Sequence, residues 1–276
     1  MKIWVLSNNW TTRRGFVAEH GLSLLIESDG RRLLFDTGQG FALPINLAAL
    51  GMKPQDIDAV ALSHGHWDHG GGLAWLANNG GRGLPLFAHP MAFERRIRRS
   101  ELSDHDIGLH EPGGLRERFE MVEVTEPREI LSGLWLTGEI SARHEEEAPD
   151  PRHMIDRGHE PEPDPFRDDL ALFTRGGAGG QGVVVVTGCA HSGVVATLEH
   201  VGSLTGASTV EALIGGFHLS GASAERLRWT IENLRRFAIS LLAPLHCTGF
   251  TAIGAFQSVF GGRVALPGSG DWLEIP

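Results

Sequence analysis

The chain of 276 residues is 41% hydrophobic, enough for one large core, and nothing in it demands a second independent domain. Its 24 Lys and Arg against 34 Asp and Glu give a net charge of −10, which disfavours a general nucleic-acid binder while leaving room for local basic patches. Two cysteines cannot build a disulfide framework, the N-terminal apolar run is too short for a secretory signal, and no stretch approaches the roughly 20 apolar residues of a membrane span. The expectation is a single domain over 1–276 in a reducing, cytoplasmic setting, with no membrane or nucleic-acid partner. Its partner would be a small-molecule substrate, anionic if local basic patches face it, and a homo-oligomer stays open.

Residues 2–6, 22–27 and 32–36 read as short strands rich in Ile, Val, Leu and Phe, with Asp29-Gly30 as a hairpin turn between the last two. The polar link 8–20 closes on Glu19-His20-Gly21, where His20 reads as a structural or loop histidine rather than a ligand. Asp36 falls at a strand end, and an Asx turn onto Gly38 is one local use for it. Residues 41–50 have helical spacing that Gly51 stops, and Lys53-Pro54-Gln55-Asp56 breaks the chain before the apolar run Ala59-Val60-Ala61-Leu62.

That run delivers His64-Gly65-His66-Trp67-Asp68-His69, three imidazoles and a carboxylate within six residues. Residues two apart on an extended segment point the same way, so His64 and His66 can grip one cation together. Asp68 and His69 come after the chain begins to turn, and Gly70-Gly71-Gly72 leads into a helix, so they aim at a second position nearby. Neutral imidazole with one carboxylate oxygen suits zinc, manganese, iron or cobalt, and suits calcium or magnesium poorly. The plain alternative is a polar loop that happens to be His-rich; the spacing argues against it.

Residues 85–89 read as a strand, and the run to Arg99 as a helix whose Arg95, Arg96, Arg98 and Arg99 form a basic face, either solvated or turned to an anionic partner. Residues 100–120, with His105 and His110, read as loop, and 121–124 and 130–137 as strands. From 143 to 169 the composition turns acidic, with five prolines and His144, His153 and His159. Such a segment cannot order itself alone, so it reads as an excursion: either a lid or specificity loop over the metals, or a solvated insertion.

Residues 170–174 and 183–187 flank a glycine-rich turn over 176–180, which is a hairpin tip and not a phosphate loop because no Lys-Ser or Lys-Thr follows. The second of these strands delivers Cys189 and His191, and His191 reads as a further metal ligand. Strand 210–216 presents His218, and strand 239–243 presents His246. Helices fall at 194–204 and 222–237, the latter with Leu227, Ile231 and Leu234 on one stripe. Residues 263–266 and 272–275 read as edge strands around the turn Pro267-Gly268-Ser269-Gly270. Four strands thus end in a histidine or the Asp-His cluster, which core packing alone does not readily produce.

These motifs carry a resemblance. His64-x-His66-x-Asp68-His69 resembles the signature of the metallo-β-lactamase-fold superfamily, and Phe35-Asp36-Thr37-Gly38 its earlier Asp motif. Glu19-His20-Gly21-Leu22-Ser23, Thr187-Gly188-Cys189-Ala190-His191-Ser192-Gly193, Ile214-Gly215-Gly216-Phe217-His218-Leu219 and Pro244-Leu245-His246-Cys247-Thr248-Gly249 are similar to its dihydropterin-aminobenzene-ribofuranosyl-phosphate synthase-like branch, over nearly the whole chain. The resemblance implies an α/β fold, a four-layer αββα sandwich of two mixed sheets flanked by helices, and the strand-helix alternation in both halves agrees with it. It implies two divalent transition-metal ions, zinc first with manganese or iron as alternatives, on His64, His66, Asp68, His69, His191 and His246. Asp36 would orient a ligating imidazole, and His218 would be a non-ligating proton donor or substrate contact. Cys189 stands where many members place a bridging Asp. It reads as either a soft thiolate ligand or, preferentially, a buried thiol beside the site.

Two cations about 3.5–4 Å apart can share a water and lower its pKa towards roughly 7. The leading expectation is a binuclear metal-dependent hydrolase using a metal-bound hydroxide on an ester, lactone or phosphoester. In it Asp68 orients the nucleophile and His218 protonates the leaving group. One alternative is a transferase coupling a dihydropterin diphosphate to an aminobenzene ribofuranosyl phosphate; another is a non-catalytic metal-bearing ligand sensor. Redox diiron proteins of this fold generally carry Glu where His66 stands and work beside a flavin domain, and neither feature is present.

Overall fold

The structure, a computed structural model, describes residues 1–109, 113–176 and 182–275. His110 and the glycine-rich turn beyond Gly176 lie outside the described residues.

Seven strands form the first sheet, in the spatial order Trp272–Glu274, Lys2–Ser7, Ser23–Ser28, Arg31–Phe35, Ala59–Ala61, Pro85–Ala88 and Glu120–Glu123. The first four run antiparallel, and from Arg31–Phe35 onward the pairing is parallel. Asp29 and Gly30 both take positive φ, 49° and 75°, as a two-residue hairpin matched to the strand twist requires. The second sheet has six strands, in the order Ile239–Leu245, Thr209–Gly216, Gly182–Thr187, Ala171–Gly176, Leu134–Leu136 and Arg128–Leu131. Its first three are parallel and the rest antiparallel. Gly182–Thr187 is buried along its whole length, as a strand covered on both faces must be.

The burial pattern separates the layers. Ile3, Val5, Leu24 and Phe35 from one sheet meet Leu172, Val184, Ile214 and Leu245 from the other. On the outer face of the first sheet, Leu25, Leu34 and Val60 pack on Leu43, Leu47, Leu73 and Leu76 of the helices Ala42–Ala49 and Leu73–Asn78. On the outer face of the second, Val185 and Leu213 pack on Val195, Leu234 and Phe256, from Val194–Thr205, Ala224–Leu234 and Phe250–Phe260. This is the four-layer αββα sandwich with mixed sheets. Among the described residues no helix is long and apolar enough to cross a membrane.

Several expected elements are corrected. The run to Arg99 is not helical: a 3-10 turn at Pro90–Phe93 gives way to the strand Arg96–Arg98, which pairs with His153–Ile155 of the 143–169 segment. Tertiary pairing overrides the helical propensity of its arginines. With His105–Asp106 and Glu162–Pro163 these strands make a third, four-stranded sheet that the sequence did not signal. The strand expected at 130–137 is a hairpin, Arg128–Leu131 and Leu134–Leu136, turning at Gly133. Residues 263–266 form no strand, only the single bridge Leu242↔Val264, and Pro267 just beyond has no N–H with which to extend a ladder. Helix Phe250–Phe260 was not expected.

Candidate metal centre

The parallel strands of both sheets end on the same edge, and the site is built from the loops that follow them. Ala59–Ala61 leads to His64 and His66, and Trp67–Gly70 forms one helical turn that carries Asp68 and His69. Gly182–Thr187 leads to Cys189 and His191, Thr209–Gly216 to His218, and Ile239–Leu245 to His246. Asp36, Ala190, His218 and His246 all take positive φ, between 45° and 60°, a costly conformation for residues with a Cβ. Such strain persists only where its surroundings over-determine it, and here it clusters at one place.

His64, His66, Asp68, His69, His191 and His246 are all buried, and they are brought together. The His64 ring centroid lies 4.6 Å from that of His66, 4.2 Å from His69 and 4.9 Å from His191. Nε2 of His64, Nε2 of His66 and both ring nitrogens of His191 have no hydrogen-bond partner. Burial is the largest cause holding these three imidazoles well below their usual pKa, so they are neutral and present lone pairs. Buried polar atoms are otherwise almost always paired. A group of unpaired, neutral imidazole nitrogens is what a transition metal requires.

A second cluster adjoins it. His69 Nε2 stands 3.3 Å from His246 Nε2 and 3.1 Å from Cys189 Sγ, and His246 Nε2 stands 3.3 Å from Asp68 Oδ2. Two ligand atoms on one tetrahedral zinc, with bonds of about 2.0–2.3 Å, stand roughly 3.3–3.6 Å apart. The residues present therefore fit a cation here as well. Burial opposes ionisation of Asp68, but hydrogen bonds from His20 and His246 outweigh it and hold the carboxylate well below its usual pKa. Burial also opposes charge on His69, yet Asp36 overcomes this and pushes it up to about 9. A cation at Nε2 would have to displace that proton. Burial pushes the Cys189 thiol well above its ordinary range.

The outer contacts turn the rings. Asp36 Oδ2 lies 2.6 Å from His69 Nδ1, and Asp36 also accepts from the Ser63 amide and hydroxyl. Ser63 Oγ stands 2.9 Å from His64 Nδ1, and Asn9 Oδ1 stands 2.9 Å from His246 Nδ1. Each contact occupies Nδ1 and leaves Nε2 facing inward, the arrangement by which a second layer orients metal-ligating imidazoles.

The clusters open into a cavity of about 890 Å³, whose walls include Trp10, Arg98, Arg152, Arg226 and Phe250. His218 lines it with its ring centroid 4.2 Å from that of His191. Four site residues escaped sequence reasoning. His20, expected to be structural, places Nε2 3.3 Å from Asp68 Oδ2. His153 brings its ring 5.7 Å from His66 and His191. Asn9 and Cys247 also face the site. Only adjacency to His246 hinted at Cys247, and the others arrive from distant segments. His144 pairs with Glu199, and His105 and His159 are exposed elsewhere.

A four-layer αββα sandwich with imidazoles and a carboxylate gathered at its strand ends defines a class of metal-centred folds. The chain belongs to one of them: residues 17–203 match the metallo-beta-lactamase superfamily. Among curated relatives it is 31% identical to 7,8-dihydropterin-6-methyl-4-(beta-D-ribofuranosyl)-aminobenzene-5'-phosphate synthase of Methanocaldococcus jannaschii, over 94% of this chain and 92% of the relative. The crystal structure of Tm1679, a metal-dependent hydrolase of the beta-lactamase superfamily, superposes with a TM-score of 0.85 at 27% identity and covers 100% of this chain and 99% of that one. Zn(2+)-bound PqqB from Methylobacterium extorquens shares the fold, with a TM-score of 0.58 at 16% identity over 100% of both chains.

Proposed function

We propose that this protein is a binuclear metal-dependent hydrolase of small-molecule esters, lactones or phosphoesters, with zinc as the metal. The observation that carries it is the set of buried, unpartnered ring nitrogens on His64, His66 and His191 beside the His69, His246 and Asp68 cluster. His64, His66 and His191 would hold one cation, and Asp68, His69 and His246 the other. Bound there, two such ions supply Lewis acidity and a water of lowered pKa.

The chain's own residues do the rest. Asp68, ionised and in contact with His20 and His246, orients the attacking water. His218 lines the cavity with a buried Nδ1 that has no partner, and delivers a proton to the leaving group. The cavity admits a substrate of small-molecule size. Arg226 among its lining residues, whose Nε has no partner, favours an anionic one, whereas Arg98 and Arg152 are both paired with Asp150.

A second reading is supported by the 31% identity to a pterin-pathway synthase. In that reading the same cations hold a leaving diphosphate during transfer to an aryl-amine ribosyl phosphate. Metal analysis of protein purified without added metal tests the shared premise: two equivalents are expected, falling in Asp68→Ala and in His191→Ala. Less than stoichiometric metal overturns it. With metal present, turnover of simple esters supports the hydrolase, and diphosphate release that needs both pterin and amine supports the transferase. Ligand-induced stabilisation without any product would mark a sensor instead.

A further inference from the structure

We infer that Trp10 and Phe250 form a platform for a planar aromatic ring in the wall of the metal-site cavity, which narrows the substrate class to esters or phosphoesters carrying an aryl group; this rests on the hydrolase reading above. Phe250 opens the helix Phe250–Phe260 and is 76% exposed, whereas Ala252, Ile253, Phe256 and Phe260 of the same helix are buried. Its ring therefore contributes little to the core. Trp10 is half-buried, and its ring centroid lies 5.8 Å from that of Phe250 with the planes tilted by 43°. Both side chains line the cavity that Asp68, His191 and His246 also line.

A single exposed apolar side chain is ordinary on a protein surface. Two aromatic rings in contact on the wall of a cavity lined by ligand-type imidazoles are not, because a substrate held there covers them and gains from the burial. The rest of the lining decides between a flat ring and an alkyl chain. Ile107 is the one branched aliphatic side chain among the described lining residues, against the rings of Trp10, Trp67 and Phe250. A tilted aromatic pair offers a third ring both a face and an edge, which an alkyl chain cannot use.

The backbone holds both rings in place. Gly249 takes φ 79°, and a Cβ there would press on Ser220 at 2.9 Å, so the start of the helix is fixed. The Trp10 carbonyl accepts from the Ser269 amide at 2.9 Å, the Thr11 hydroxyl donates to the Ser269 carbonyl at 2.7 Å, and a Cβ on Gly268 would crowd the Trp10 ring. Rings fixed before binding lose little conformational entropy when a ligand docks. The platform is also tied to the metal centre. Asn8 Oδ1 accepts from the His246 amide and Asn9 Oδ1 meets His246 Nδ1, both at 2.9 Å, so Trp10 follows directly on the two residues that hold this imidazole. A ring laid on the pair stands on the His246 side of the cavity.

Calorimetry on the zinc-loaded full chain with methyl-, cyclohexyl- and phenylphosphonate tests the platform, because all three offer the same anionic oxygens to the cations and only the last carries a flat ring. Phenylphosphonate should bind about 2–10-fold tighter than cyclohexylphosphonate, although the cyclohexyl group is the more hydrophobic. Phe250→Leu and Trp10→Leu should each remove most of that preference, and Phe250→Tyr and Trp10→Phe, which keep a ring, should retain it. Phe250 is exposed, so its variants carry the test alone if Trp10→Leu does not fold. Equal affinity for the two rings in wild type, or a preference that survives Phe250→Leu, overturns the platform while leaving the hydrolase reading intact. Equal weakening of all three phosphonates in Phe250→Leu would make the residue a support of the metal centre and overturns it as well. Absence of stoichiometric zinc sinks the hydrolase reading and the platform with it.

Discussion

Gly65 donates its backbone N–H to Asp168 Oδ2 at 2.8 Å, so the peptide between His64 and His66 is pinned by a carboxylate 103 residues away. Asp168 is in turn 2.8 Å from Arg96 Nη2, and Arg96 Nε donates to Asp164 at 2.7 Å; all three side chains are fully buried. The 143–169 segment thereby grips the loop that presents the first imidazole pair. A Cβ at Gly65 would overlap both the Ala92 carbonyl and the Arg96 guanidinium, so glycine is required there.

Breaking a buried ion pair by removing one partner leaves the other charge uncompensated and costs about 3–5 kcal/mol. Asp168→Ala should lose that much stability, read as the shift in a urea unfolding midpoint, and should also lower metal occupancy. Asp168→Asn, which keeps an acceptor for Gly65, should retain more of both. A loss under about 1 kcal/mol for Asp168→Ala would show that Arg96 finds compensation elsewhere.

Asp36 sits 2.6 Å from His69 Nδ1 and accepts twice from Ser63, which itself meets His64. One carboxylate therefore orients rings in both clusters. Loss of such an outer contact typically lowers metal affinity about 10–100-fold. Asp36→Asn should show that loss in competition against a chromogenic chelator, with the folded state retained by circular dichroism. Unchanged affinity would mean that strand-end packing alone aims the imidazoles.

The ligand-type cluster from His64 to His69 is legible in the sequence because its members share one loop, and His191, His218 and His246 are legible because each follows an apolar strand. His20 and His153 are not, since nothing local distinguishes a ligand-facing histidine from an ordinary loop histidine. Arg96 reads as part of a solvated basic face because its burying partners Asp164 and Asp168 lie far along the chain, the first 68 residues away. Helix Phe250–Phe260 is obscured by Gly254 and by apolar residues spread around its circumference. What the sequence hides is in each case a long-range contact or a pattern without a clear period.

Asp169 is fully enclosed next to the site, and burial raises its pKa from 3.8 to about 6 although the Ser192 amide donates to it at 2.7 Å. Below pH about 4 the carboxyl is neutral folded and unfolded, and no penalty arises. Between about 4 and 6 the unfolded chain ionises while the folded chain keeps its proton, so this group makes stability fall as pH rises; above about 6 its penalty is constant. Asp169→Asn keeps an acceptor for Ser192 and should remove that decline, leaving the metal-free variant more stable than metal-free wild type at pH 7 by at most about 3 kcal/mol. Denaturant titrations of both proteins from pH 4 to 8 check it. Parallel curves would mean that Asp169 is already accommodated as a carboxylate.

His218 is held at φ 46° on the loop after Thr209–Gly216, beside His191 and facing the cavity. In the proposed role of proton donor it would act on the leaving group and not on the cations, which would separate its signature from that of a ligand. His218→Ala should lower kcat by roughly 10²–10⁴-fold while metal content stays at the wild-type level. The deficit should shrink for substrates whose leaving groups depart without protonation, such as a nitrophenolate, because no donor is then needed. A uniform loss across leaving groups, or loss of a metal equivalent, would instead make His218 a ligand or a binding contact.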